Sequence, residues 1–182
     1  MDFNILKNTK ELIEIFFARF IMPWEEFRIE LKDFIEKMEK DNHPVDFAFY
    51  EQSFFWDRMS PKFPSVSMEE ALDFLRKHSG PVLFMAEKGE EGFSHGKKVV
   101  DFIAEALAHD LAAKIEQEWY DSYRLAMQDM YDPNAILPED LYVFDYSMTW
   151  CVVFTHETTD WESEIDDPMK AAESRVCIIC HV

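Results

Sequence analysis

The sharpest chemical pattern in the chain is Cys177-Ile-Ile-Cys180-His181, the spacing of a c-type haem attachment string. Two thiols three residues apart could also serve as a redox pair or as half of a zinc site. The run Val176 to Val182 is dominated by β-branched residues and cysteine, which predicts a strand. On a strand, residues three apart face opposite sides, so the two sulfurs diverge. No second ligand pair accompanies them. The expectation is a buried strand holding neither haem nor zinc, and no cofactor or metal elsewhere.

Gly92-Phe-Ser-His-Gly96-Lys97 lies between a predicted strand and a predicted helix, the setting of a phosphate loop. The first glycine is one position late, Lys98 stands where Ser or Thr is needed, and Glu90 and Glu91 repel phosphate. A nucleotide site is therefore not expected. The histidines are His43, His78, His95, His109, His156 and His181, and no pair has the spacing of a helical metal motif. His109 and Asp110 are one step apart on a helix, which predicts that they do not face each other. His156-Glu157 closes a predicted strand, where a shared site needs a bulge, because neighbours on a strand point apart. A Ser147/His156/Asp145 triad lacks the glycines of a nucleophile elbow. No catalytic residue is expected.

The stretch from Glu157 to Ser174, ETTDWESEIDDPMKAAES, links two predicted strands and places six acidic residues before Pro168. A large aromatic in such a loop is either an anchor onto its own sheet or a binding residue. An aromatic ringed by carboxylates suits the recognition of a basic protein. The candidate partner-binding residues are Trp161, Glu157, Asp160, Glu162, Glu164, Asp166 and Asp167.

These residues depend on the elements around them. Asn8 to Glu11 has the spacing of a capping box, followed by Leu12, Ile13, Phe16, Phe17 and Phe20 at helical intervals. After Pro23, an amphipathic helix is predicted with Trp24, Phe27, Leu31, Phe34, Ile35 and Met38 on one face. Residues 43–66, punctuated by Pro44, Pro61 and Pro64, read as irregular or partly helical. Ser67-Met-Glu-Glu70 is a second capping box, opening a helix to about His78, and Gly80-Pro81 stops it. Val82 to Met85 reads as a short buried strand. From Lys97 to about Tyr131 the period is helical, with Ile103, Leu107, Leu111 and Ile115 on one side. A helix of that length would span roughly 52 Å, so a break near Glu116 to Glu118 is expected. Leu141 to Asp145 and Trp150 to His156 read as strands joined by the turn Asp145-Tyr-Ser-Met148. The second is apolar on both faces, which predicts a central position. Trp24, Phe27, Leu31, Ile103, Leu107, Trp150, Val152 and Phe154 are expected to be mostly buried.

The whole predicts an α+β fold in one domain, 1–182. Helices fill about 1–131, a strand lies near 82–86, and a small, mostly antiparallel sheet occupies about 138–182. Eighteen Lys and Arg stand against 37 Asp and Glu, a formal net charge of -19. Residues 116–173 hold fifteen acidic and two basic residues, a net of -13. That field repels nucleic acid and anionic membrane surfaces and attracts cations or basic proteins. The start Met1-Asp-Phe-Asn4 lacks the order of a signal peptide, and Ile15 to Ala18 is too short to span a membrane. With three cysteines, a cytoplasmic location with reduced thiols is the expected setting.

The stretch Leu141-Tyr-Val-Phe-Asp-Tyr-Ser-Met-Thr-Trp-Cys-Val-Val-Phe-Thr-His-Glu157 resembles a C-terminal hairpin of small acidic bacterial proteins, some of them immunity-like proteins of toxin systems. The resemblance covers under a tenth of the chain. It implies a compact cytoplasmic protein without known catalytic residues. Charge and resemblance together lead to the expectation of a non-enzymatic acidic binding protein, an immunity-type inhibitor of a basic toxin. One alternative is a small-molecule or metal-dependent enzyme with its site at the His156/Glu157 strand end. A third is a structural protein that self-associates through its long helical region.

Overall fold

The structure is a computed structural model and describes residues 3–40, 55–59, 62–87, 103–126, 135–158 and 174–182. Helices pack on both faces of an antiparallel sheet, as an α+β fold. The strands are β1 (Asn4–Ile5), β2 (Ser65–Ser67), β3 (Pro81–Ala86), β4 (Ile103–Leu107), β5 (Leu141–Phe144), β6 (Trp150–Thr158) and β7 (Arg175–His181). Their order across the sheet is β1-β4-β3-β5-β6-β7-β2, with every neighbouring pair antiparallel. The helices are α1 (Lys10–Phe20), α2 (Trp24–Lys40), α3 (Met68–Arg76) and α4 (Ala108–Ala126).

The central strands alternate between two apolar faces. Val82, Phe84, Val143, Trp150, Val152 and Phe154 meet Leu72 and Leu75 of α3 and Leu111 and Ile115 of α4. Leu83, Met85, Tyr142, Phe144, Cys151 and Val153 face the other way, onto Phe16 and Phe20 of α1. Both faces of β6 are therefore covered, as its sequence implies. α2 buries Phe27, Leu31 and Ile35 in a cluster with Met22, while Trp24 is half-buried. Phe34 is exposed, because one residue of helix rotates it about 100° from Ile35. The side chain of Met38 lies outside the described residues.

The predicted capping box at Ser67 is present, with the Glu70 amide donating to the Ser67 hydroxyl and the Glu70 carboxylate accepting from the Ser67 amide. The predicted box at Asn8 is not. Asn8 instead takes the left-handed region (φ 59°), which asparagine tolerates, and α1 begins after Thr9 without a side-chain cap. Within the segment read as irregular, Trp56–Arg58 form a 3-10 turn and Ser65 already begins β2.

The largest departure is at 103–107, read as helix and found as strand. Ile103-Ala-Glu-Ala-Leu107 has helical propensity, but pairing with β3 over its whole length overrides it. Alternation then sends Ile103 to the α1 face and Ala104 and Ala106 to the other, and leaves Leu107 exposed rather than buried. Because α4 starts only at Ala108, its length is roughly 28 Å and it runs through Glu116–Glu118 without a break. The Glu118 carboxylate accepts from the amides of Ile136 and Leu137 and pairs with Lys114 at 2.9 Å, fixing the chain's return toward β5.

Candidate functional site

One end of the central strands gathers buried polar side chains, among them Glu87, Asp140, Thr155 and Arg175. β3 ends there at Ala86, β5 begins at Leu141, and β6 finishes at Thr158. Asp140, one residue before β5, is fully buried. Its carboxylate accepts from the His156 amide at 2.8 Å and bonds the His156 ring Nδ1 at 2.9 Å. The second ring nitrogen, Nε2, stands 3.8 Å from Glu157.

The register of β6 against β7 slips between Phe154 and Thr158. That irregularity breaks the regular alternation of β6 where His156 and Glu157 come together, with Nε2 3.8 Å from the Glu157 carboxylate. It also lets His156 meet the Trp56 ring, at 6.0 Å between centroids, although Trp56 packs on the face opposite to Phe154. The hydrogen bond and charge of Asp140, with Glu157 and Glu139 beyond it, raise the pKa of His156 against the opposing effect of burial.

Beside this pair lies a second polar group. The buried Tyr142 hydroxyl donates to the buried Glu87 carboxylate, which also accepts from the Phe55 amide at 2.9 Å. The Trp56 amide donates to the same hydroxyl at 3.1 Å. Burial, reinforced by the Glu87 charge, pushes the phenol's pKa well above its ordinary value, so it stays a donor. At the start of β7, the guanidinium of buried Arg175 lies 3.5 Å from the centre of the Trp119 ring. It donates to the carbonyls of Thr155 and Glu139, tying β6 and β7 to the segment before β5.

This arrangement favours positive charge on an imidazole bracketed by carboxylates. The neighbouring hydroxyls are engaged as donors, Tyr142 to Glu87 and Thr155 to the Val176 carbonyl at 2.7 Å. Asp145 and Ser147 sit at the opposite end of β6, so the triad considered from sequence is not assembled: six residues of strand put Trp150 roughly 20 Å from His156. His109 and Asp110, expected not to face each other, do meet at 2.8 Å, because both side chains are exposed and free to fold toward one another. Among the described residues no group of three or more His, Cys, Asp or Glu could hold a metal ion.

The cysteines are free and buried. Cys177 packs toward α3 and α4 and Cys180 toward α1, the divergence a strand imposes. Burial pushes the Cys177 thiol up to about 12 and raises the Cys151 and Cys180 thiols well above their ordinary value.

Of the seven candidate binding residues, Glu157 is placed, half-buried beside His156. Trp161, Asp160, Glu162, Glu164, Asp166 and Asp167 lie outside the described residues, as does the loop Gly92–Lys97. The pairing of Thr158 with Arg175 fixes where the acidic segment leaves and rejoins the sheet. Sequence reasoning missed Asp140, Glu87, Tyr142, Trp56 and Arg175. For Asp140 a signal existed: a turn at Asp145–Met148 sets a hairpin register that brings Asp140 level with Thr155, next to His156. No described helix is long and apolar enough to cross a membrane. Comparison with protein-family models, with curated proteins and with solved structures finds no match to this chain.

Proposed function

We propose that the chain is a non-enzymatic acidic binding protein, an immunity-type inhibitor that takes a basic protein partner. Its binding face is the polar end of the sheet together with the acidic segment displayed from it. The observation that supports this reading is the pairing of Thr158 with Arg175, the described residues between which the acidic segment runs in sequence. In sequence, six carboxylates and Trp161 lie between these two residues, and Glu157 and Glu139 belong to the same end of the sheet. Carboxylates concentrated at one place steer a cationic partner and occupy its basic site, with Trp161 as the apolar anchor. The engagement of Tyr142 and Thr155 in internal hydrogen bonds supports a scaffold role for this end of the sheet.

The protein is tested against the purified product of the neighbouring reading frame. A basic protein that forms a complex, with association slowing as salt rises, supports the reading. Trp161→Ala then weakens the complex by about 2 kcal/mol or more. A metabolic neighbour that does not bind, or a complex indifferent to salt, overturns it.

One geometric observation favours a second reading, an enzyme acting on a small molecule. His156 has Nδ1 fixed by Asp140 and a ring about one-third exposed, the posture of a general base. The two readings separate at catalytic turnover, which the second requires and His156→Gln abolishes, and which the first does not supply.

A further inference from the structure

The two thiols of the Cys-x-x-Cys string diverge, but one of them has a partner on the neighbouring strand. Cys180 of β7 stands directly opposite Cys151 of β6. Both side chains lie on the α1 face of the sheet, in the same buried cluster. The Val182 amide donates to the Thr149 carbonyl at 3.0 Å, which makes Thr149 and Val182 a hydrogen-bonded pair of the ladder. Such pairs alternate along an antiparallel ladder, so Cys151 and Cys180, two positions on, are also hydrogen-bonded, with Cα atoms about 5.5 Å apart. That Cα separation falls within the range a disulfide spans, roughly 4.4 to 6.8 Å, and the Cβ atoms, about 5.5 Å apart at a hydrogen-bonded pair, close to about 4 Å by a local shift of the strands. Cys177 has no such option. It faces α3 and α4, and its cross-strand neighbour is Phe154.

We propose that Cys151 and Cys180 are a modification site, closing to a cross-strand disulfide when the protein meets a low-molecular-weight disulfide. One protein thiolate attacks the S–S bond of that oxidant, forming a mixed disulfide and releasing one small thiolate. The other protein thiolate then attacks the protein sulfur, forming the Cys151–Cys180 bond and releasing the second small thiolate. The two protons lost by the cysteines end on the two small thiols, and the two electrons taken from the protein reduce the oxidant. Buried thiols react only when the strand pair opens. β7 is the strand placed to open, because its outer neighbour β2 pairs with Val176–Ile178 alone and leaves Ile179–His181 without a described outer strand. The loop closed by this bond contains the acidic segment, so oxidation ties together the two strands that display it.

Refolding decides the matter, since it removes the barrier of burial. Reduced, urea-unfolded protein is refolded in glutathione buffers of increasing oxidised fraction and its thiols are mapped by mass spectrometry without reduction. The expected product has lost two hydrogens, links the Cys151 and Cys180 peptides, leaves Cys177 alkylatable, and unfolds roughly 10 °C higher than the reduced form. Cys177→Ala keeps the linkage and the shift; Cys151→Ala loses both. Folded protein with three alkylatable thiols at the most oxidising ratio, or a linkage that uses Cys177, overturns the proposal.

Discussion

Two aspartates bracket β5, and they do different work. Asp145, just after Phe144, accepts from the amides of Ser147, Thr149 and Trp150 and from the Thr149 hydroxyl, at 3.2, 2.7, 3.1 and 2.9 Å. All of these donors lie within five residues, and together they hold a turn whose last position, Met148, sits in the left-handed region (φ 54°). Asp140, just before Leu141, is sealed in the fold and bonds a residue sixteen positions away, His156. One carboxylate completes a local turn and the other builds a titratable pair at the face we assign to binding. The same side chain becomes structural or electrostatic according to the sequence distance of its donors and its access to water.

That contrast can be broken by substitution, from the larger effect to the smaller. Asp140→Ala removes a buried acceptor and strands two donors of His156, and should cost about 3 kcal/mol in urea unfolding, with the partial exposure of His156 keeping it from more. Asp145→Ala loses four bonds, but to a carboxylate near water that its donors can replace, and should cost about 1 to 2 kcal/mol. If Asp145→Ala proves the more damaging, the assignment of roles is reversed.

His156 also gives the fold a response to pH. The bond to Asp140 raises the pKa of His156 above its ordinary 6.5, so folding favours the protonated ring. Its contribution is fully present below pH 6.5 and is lost as pH rises through the raised folded value. Unfolding measured across that window should show stability declining with pH in the native protein and a flatter profile in His156→Gln. The smallest effect on stability is expected for Glu157→Lys, within about 0.5 kcal/mol, because this carboxylate is partly solvated.

The local carboxylate was the easier one to anticipate. The turn Asp145–Met148 and the strands on either side follow from residue types within twenty positions, as does the capped start of α3 at Ser67. Ile103–Leu107 was misread because its alanines and leucine suit a helix, and the β3 backbone that claims them is twenty residues away. The Asp140–His156 contact is implied by the hairpin register, but the register shift beside His156, where its ring meets Trp56, leaves no mark in composition. Glu87 and Tyr142 are 55 positions apart and meet only because β3 and β5 pair. Cys151 and Cys180 are opposite each other for a similar reason, since the segment between β6 and β7 sets no register by its length.

The central claim is that the end of the sheet around Glu157 and the acidic segment is a binding face for a basic protein. Its most direct test is the association rate with the purified neighbouring-gene product, for the native chain and for Glu157→Lys with Glu162→Lys and Glu164→Lys, at low and at physiological salt. The account predicts association that is fast at low salt, slows several-fold as salt is raised, and is several-fold slower in the reversed variant with folding unchanged. No complex, or a rate indifferent to both salt and charge reversal, would contradict it.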